Sequence, residues 1–447
     1  MDELPPHLIP EILSRLNSSL DLARCQLSSK TLAAASAEVR SITLLCSFDR
    51  YTKSRLPSTK PLTTPFKKIF TNLVSRSSHV DSVSIGVERP LGGLSYDDDV
   101  EDEADDLYLN DVGFVREWLP GVCGRLRSLE VSDFWIQSCW RRSEVLSLIS
   151  SSCHNLHKLV LKNAWLSADG LNAMPTLTDL TLEFIRLDDE DLGKVNSCFP
   201  SLQILNLIGV GGLKEPKIHL LHLRECRWTV SNAPLSLTIL APNLIKLKLE
   251  CIKPGSLFID APLLSDFHLS IEKACNLVVK DFRDLKTLHV ETPYLCTIFG
   301  QFRHGRSIKN LTVDISKWAE SAEMANFNLE QLLVAFPNAQ YLTLGPGSWL
   351  EAGTCFHTGG SEVSVVRAKE ITAHLFVKDV EITLSLIFFV LERCAKLTDM
   401  ALLIHRGVES SVASDLMSRC TARSARVRWR WGFWKEGMKD AWASDGI

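Results

Sequence analysis

The stretch that decides the fold is Leu237–Leu249, LTILAPNLIKLKL, with its echo at Leu257–Leu269, LFIDAPLLSDFHL. Leu237, Leu257 and Leu277 are twenty residues apart, as are Ile239, Ile259 and Val279. Ala241-Pro242-Asn243-Leu244 returns as Ala261-Pro262-Leu263-Leu264. Each copy ends in L-x-x-L-x-L or a close variant. Its last two apolar residues lie two apart, so on a strand they point to the same side. One copy cannot bury that side, but stacked copies bury it against each other in a continuous core. A twenty-residue unit with a strand, two turns and a returning L-x-I has little room for a helix. Both of its layers are therefore expected to be extended.

Working outward, the same triplet recurs along the chain. It reads Val80-Val83-Ile85, Leu126-Leu129-Val131, Leu156-Leu159-Leu161, Leu177-Leu180-Leu182, Leu202-Leu205-Leu207 and Ile218-Leu221-Leu223. It continues as Leu244-Leu247-Leu249, Leu264-Phe267-Leu269, Leu285-Leu288-Val290 and Ile308-Leu311-Val313, with weaker copies at Ala339-Leu342-Leu344 and Leu397-Met400-Leu402. Most steps between neighbouring triplets from Leu156 to Ile308 fall in the window of about 20–29 residues typical of leucine-rich repeats, which the pattern resembles. The expected architecture is α/β: a curved solenoid over residues 80–345 with a parallel β-sheet on its concave face. Residues 43–79 read as a helical linker leading into the first repeat. The triplet fails across 346–379, where Gly353, Gly359 and Gly360 suggest an irregular loop region. Residues 380–447 read as a degenerate repeat and a C-terminal cap.

Composition narrows the class. The chain has 447 residues, 45% of them hydrophobic and 23% charged, with a net charge of −4. Those values exclude wholesale disorder, a collagen and a coiled-coil rod. Near neutrality, the whole chain is not driven onto nucleic acid or anionic lipid. The start, MDELPPHLIP, lacks the basic and apolar regions of a secretion signal. The longest apolar run, Ile382–Leu391, is too short to span about 30 Å of hydrocarbon. A soluble protein of the cytoplasm or nucleus is expected, with its thirteen scattered cysteines mostly reduced and buried. Asp97–Asp106, DDDVEDEADD, carries eight acids in ten residues and reads as a solvated acidic loop with nothing to offer the core.

No catalytic constellation emerges, and no cofactor is implied. Gly209-Val210-Gly211-Gly212 follows a strand but no Lys-Ser/Thr comes after it, so it reads as a repeat turn and not a phosphate loop. Cys153, His154 and His157 lack the further ligands a zinc site needs. Near the end, Arg426-Val427-Arg428-Trp429-Arg430-Trp431-Gly432-Phe433 alternates strictly. Arginine among aromatics can stack on single-stranded nucleic acid. A terminal repeat must also cover its exposed core with bulky groups, and the cap is the favoured reading.

Residues 1–42 do not follow the repeat. Leu8, Ile9, Ile12, Leu13 and Leu16 fall on one helical face. Two or three short helices cannot stabilise themselves without a staple or a docking surface. Leu4-Pro5, the helix HLIPEILSRL at His7–Leu16, Leu20-Asp21-Leu22-Ala23-Arg24-Cys25 and Leu27-Ser28-Ser29-Lys30 closely resemble a plant-type F-box. The chain departs from that pattern at Asn17 (usually Pro), Ser28 (usually Val) and Leu32 (usually Trp). The Ala-Pro-Asn-Leu register similarly resembles plant F-box/leucine-rich-repeat proteins. The resemblance implies binding to a Skp-type adaptor, and through it to a cullin. The residues implied are Leu4, Pro5, Leu8, Ile12, Leu13, Leu16, Leu20, Arg24, Leu27 and Leu32. It implies a non-enzymatic substrate-recognition subunit of an SCF-type E3 ubiquitin ligase. A repeat scaffold uncoupled from ubiquitination is the alternative.

The repeat phase places other residues on the concave face. Lys158, Lys162, Arg224, Lys246, Lys248 and His268 form its expected target-binding set. Cations outnumber acids in that count, so an acidic or phosphorylated protein target is expected. No membrane contact is implied.

Overall fold

The computed structural model describes residues 8–443 except 15–18, 37, 56–57, 59–61, 78, 89–104, 135–140, 230–233, 253, 272–275, 281, 301, 303–304, 316–328, 355–366 and 425. The chain forms two compact units, Met1–Asn232 and Ala233–Ile447.

The first unit begins with three helices, Leu8–Ser14, Ser19–Ser28 and Lys30–Ser36. Ile9, Leu13, Leu22 and Leu32 form their shared core together with Val39, and Cys25 and Ala35 pack against it. Val39 also opens a triplet, Val39-Ile42-Leu44, that lies ahead of the first one read from sequence. Strand Ser41–Cys46 carries it and pairs in parallel with Ser82–Val87, setting Ile42 beside Val83 and Leu44 beside Ile85. The stretch expected to be a helical linker therefore starts with a repeat strand. A helix, Phe48–Arg55, follows only after it.

Five further strands, Ser128–Ser132, Lys158–Leu166, Asp179–Arg186, Ile204–Ile208 and Glu225–Thr229, extend the sheet, all in parallel. The register aligns Leu129, Leu159, Leu180, Leu205 and Cys226 in one column. Val131, Leu161, Leu182, Leu207 and Trp228 form a second. All ten side chains are buried. Each buried aliphatic contributes roughly 1.5–3 kcal/mol relative to exposure. Ile218-Leu221-Leu223, expected as a triplet, does not form one. The triplet of this repeat is Leu223-Cys226-Trp228, and Leu221 is 58% exposed in the preceding turn. Cysteine and tryptophan at the leucine positions hid the phase.

Helices cover the other side. Phe70 on helix Phe66–Ser75 meets Trp118 on helix Val112–Val122 edge-on at 5.1 Å. The acidic segment contributes after all, at its C-terminal end. The Asp106 carboxylate accepts the backbone N–H of Phe66 at 2.6 Å and of Lys67 at 3.0 Å, capping a helix that starts forty residues earlier in sequence. The expectation that Asp97–Asp106 offers nothing to the fold fails at Asp106. Residues 97–104 lie outside the described residues.

In the second unit the twenty-residue register gives two layers of strands. Ser236–Leu240, Ser256–Asp260 and Asn276–Lys280 pair in parallel, aligning Leu237 with Leu257 and Leu277. The main sheet runs Lys246–Ile252, Asp266–Ile271, Thr287–Glu291, Asn310–Asp314, Tyr341–Leu344, Glu370–Leu375, Asp399–His405 and Arg428–Trp434, all parallel. The region expected to be irregular holds helix Pro346–Thr354 and strand Glu370–Leu375, which carries the triplet Ala368-Ile371-Ala373. Two alanines made that triplet invisible as a leucine pattern. Ala339, Ala368, Leu397 and Arg426 then stand twenty-nine residues apart. The longer spacers hold helices Pro346–Thr354, Val380–Arg393 and Ser410–Arg423 in place of outer strands. At the last parallel strand Trp429, Trp431 and Phe433 sit beside Met400, Leu402 and Ile404, and the two indoles stack at 5.8 Å. Arg428 and Arg430 point the other way, to Asp399 and Glu370. Among the described residues no helix is long and apolar enough to cross a membrane.

The cap at Phe66 gives a first test. Asp106→Ala removes a carboxylate acceptor from two helix N-terminal amides and should cost about 1–2 kcal/mol. A lowered thermal midpoint, read by circular dichroism, is the expected outcome.

Candidate functional site

Two surfaces can hold partners: the outside of the N-terminal helices and the open face of the sheets. On the helices, Leu13 and Leu32 are turned into the bundle's own core. Ile12 is 44% exposed and Leu8 is half-buried on the same short helix. Arg24 is exposed and pairs with Asp21 at 2.7 Å. Leu4, Pro5 and Leu16 lie outside the described residues, as do the side chains of Leu20 and Leu27, whose backbone belongs to helix Ser19–Ser28.

The open face is built by strand alternation. In each repeat the residues before, between and after the two core positions point away from the core. Lys158 and Lys162 lie there, in rows with Asp179 and Glu183 on the next strand. Lys246, Lys248 and His268 occupy the corresponding face of the second unit, Lys246 and Lys248 registered with Asp266 and His268. Arg224 does not. It immediately precedes strand Glu225–Thr229, its N–H donating to the Gln203 carbonyl at 2.8 Å, and Arg227 takes the face position beside Asn206.

The complete rows change the charge. In the first unit Lys158, Lys162 and Arg227 share the face with Glu130, Asp179, Glu183 and Glu225. In the second, Lys246, Lys248, Arg428 and Arg430 meet Glu250, Asp266, Glu291, Glu370 and Asp399. The expectation of a basic face is overturned. It counted the positions after each core leucine and left out most of those before, which hold Asp179, Glu225 and Asp266.

Most of these charges are paired locally. The Lys162 ammonium lies 3.1 Å from Glu130 and 3.5 Å from Glu183. Partial burial pulls that ammonium toward neutrality, but hydrogen bonds and charge from the two glutamates outweigh it and hold its pKa above the usual lysine value. Lys248 pairs with Glu250 at 2.7 Å. The His268 and His289 rings stack at 4.0 Å, nearly parallel. Burial, then the nearby Lys248 ammonium, push His289 below the ordinary histidine value, so it is neutral at pH 7. Burial also pushes the thiols of Cys46, Cys153, Cys226, Cys394 and Cys420 up to about 12, which leaves them in the un-nucleophilic form. Among the described residues no three His, Cys, Asp or Glu side chains are grouped to hold a metal ion.

Sequence reading missed one feature of this face. Asn163, Phe184 and Gly209 follow the last paired face residue of three successive strands, and all three have positive φ, at 57°, 53° and 61°. The glycine was visible as a turn signal. Nothing in the sequence marks the phenylalanine.

No protein-family model matches the chain. An F-box/LRR-repeat protein of Arabidopsis thaliana is 50% identical to it over 448 residues, covering 99% of this chain and all of the relative.

The Lys162 triad is testable. Lys162→Met leaves two carboxylates facing each other and should destabilise the fold by about 1 kcal/mol at pH 7, discounted for solvent screening. In the wild type the raised lysine pKa contributes stability below about pH 10.4, which is lost as pH rises through the folded-state value. Urea unfolding of the variant and the wild type at pH 7 reads the first effect.

Proposed function

The chain belongs to the plant F-box/LRR-repeat proteins, and on that premise we propose that it is the substrate-recognition subunit of an SCF-type ubiquitin ligase. Proteins of this family are in general adaptors rather than enzymes. The observation that carries the reading is the relative's 50% identity across 99% of the chain, N-terminal helices included. In this reading the helices Leu8–Ser36 hold a Skp-type adaptor, with a cullin beyond it, and the sheet faces hold the target protein. The chain forms and breaks no bond. It raises the effective concentration of the target beside an activated ubiquitin carrier, which converts an encounter into a nearly intramolecular step. Cytoplasm and nucleus, where such ligases meet their targets, are the proposed locations.

Two structural facts support a shared adaptor-and-target role. Ile12 exposes apolar surface on a helix whose other face is already spent on the bundle core. Val39 belongs to that core and also opens the first repeat triplet, so the helices are packed directly on the sheet and not tethered to it. Deleting residues 1–42 would strip Val39 and Ile42 from the repeat core, so a point substitution is the cleaner probe.

Ile12→Asp places a charge where an adaptor contact is proposed, yet leaves Ile9, Leu13, Leu22 and Leu32 untouched. It should weaken capture of a recombinant Skp-type adaptor at least about tenfold. The thermal midpoint should stay that of the wild type. Undiminished capture by the folded variant would refute the adaptor-binding face.

A further inference from the structure

One exposed side chain of the first unit stands on a backbone conformation that bulky residues rarely adopt. Phe184 has φ 53° and is 59% exposed. A bulky residue in the left-handed region is a genuine outlier, because its Cβ crowds the following carbonyl. Asn163 at the equivalent place tolerates that region, and its side-chain amide donates to the Asp133 carbonyl at 3.1 Å. Gly209, on the other side, adopts it freely. Gly209 also makes room for the ring: a Cβ there would lie 2.7 Å from Phe184 Cδ1. The ring thus lies over a glycine, held up on a strained backbone, with most of its surface in water. An observed outlier of this kind is a pointer to a binding role.

The neighbours of Phe184 give the partner its chemistry. Two residues on, the Arg186 guanidinium carbon lies over the Trp165 ring, 4.2 Å from its centre. Among the described residues it pairs with no carboxylate, so its N–H donors are available to main-chain carbonyls. On the other side, Glu130 and Glu183 share the single Lys162 ammonium, at 3.1 and 3.5 Å. Two carboxylates against one cation leave negative charge beside the phenylalanine. Aromatic and arginine side chains are also the types that dominate binding energy at protein interfaces.

We propose that Phe184, with Arg186 on Trp165 and the Glu130–Lys162–Glu183 cluster, is the anchor point for an extended target segment that presents an apolar side chain next to a lysine or arginine. The apolar side chain packs on the Phe184 ring. The basic one meets the surplus carboxylate. Arg186 donates to the segment's backbone. This rests on the reading of the sheet face as the target-binding surface, and it replaces an acidic target with a basic-apolar one.

The test uses the full-length chain and a displayed library of random twelve-residue peptides. Enriched peptides should carry an apolar residue adjacent to Lys or Arg. Their affinity should fall at least tenfold for Phe184→Gly, and the preference for the basic residue should vanish in the Glu130→Gln/Glu183→Gln variant. Phe184→Gly relieves the backbone strain, so its thermal midpoint should stay level or rise while binding is lost, which a merely structural role for the ring would not produce. Enriched peptides without that signature, or peptides that bind Phe184→Gly as well as wild type, would overturn the proposal. Adaptor capture measured on the same preparations separates the two readings. Adaptor bound without such peptides sinks this surface alone, whereas peptides bound at Phe184 without adaptor sinks the ligase reading and leaves the surface standing.

Discussion

Every repeat in this chain has one apolar side and no means of burying it alone. The parallel register answers that constraint by setting leucine beside leucine from strand to strand, as in the column Leu129, Leu159, Leu180 and Leu205. The consequence is a core that is continuous within each unit but open at its ends. At the start of the first unit Val39 and the three short helices close it. At the last parallel strand of the second, Trp429, Trp431 and Phe433 extend the same columns with half-buried aromatics whose second faces meet water. The N-terminal helices gain their stability from this docking, which resolves how so small a bundle can persist and still leave Ile12 free.

Spacer length decides what lies on the back of the sheet. Twenty residues allow only a second strand, as at Ser236–Leu240 and Ser256–Asp260. Twenty-nine allow a helix such as Val380–Arg393. Each helix then needs its N-terminal amides satisfied. Aspartates do this repeatedly: Asp106 for Phe66, Asp111 for Phe114, Asp188 for Asp191 and Asp379 for Glu381 and Ile382. Asp314 receives the N–H groups of Gly347 and Ser348 at the start of helix Pro346–Thr354, and burial nonetheless raises its pKa. Gly347 is required there, since a Cβ would lie 2.1 Å from the Ile315 carbonyl oxygen.

The same economy shapes function. With the core columns fixed, the alternating residues are free to vary, and they form a broad polar surface in which opposite charges largely cancel. Such a face distinguishes partners by the arrangement of paired and unpaired groups more than by net charge. Burial holds the thiols of Cys46, Cys153, Cys226, Cys394 and Cys420 in the protonated form.

The sequence by itself determined the repeat, its strand period and the extended outer layer of the twenty-residue copies, because two-apart leucines recurring at a fixed step can be buried in only one way. It also determined the family, since the F-box-like residues and the repeat register stand in linear order. It did not reveal the triplets Leu223-Cys226-Trp228 and Ala368-Ile371-Ala373, where what fills a column depends on the space its neighbours leave. Nor did it separate Leu13 and Leu32 from Ile12, because a helical face looks alike whether it meets its own bundle or a partner. The charge of the open face, the cap that Asp106 gives to Phe66, and the left-handed backbone of Phe184 were decided only by tertiary structure, which brings together residues distant in sequence and lets packing override local preference.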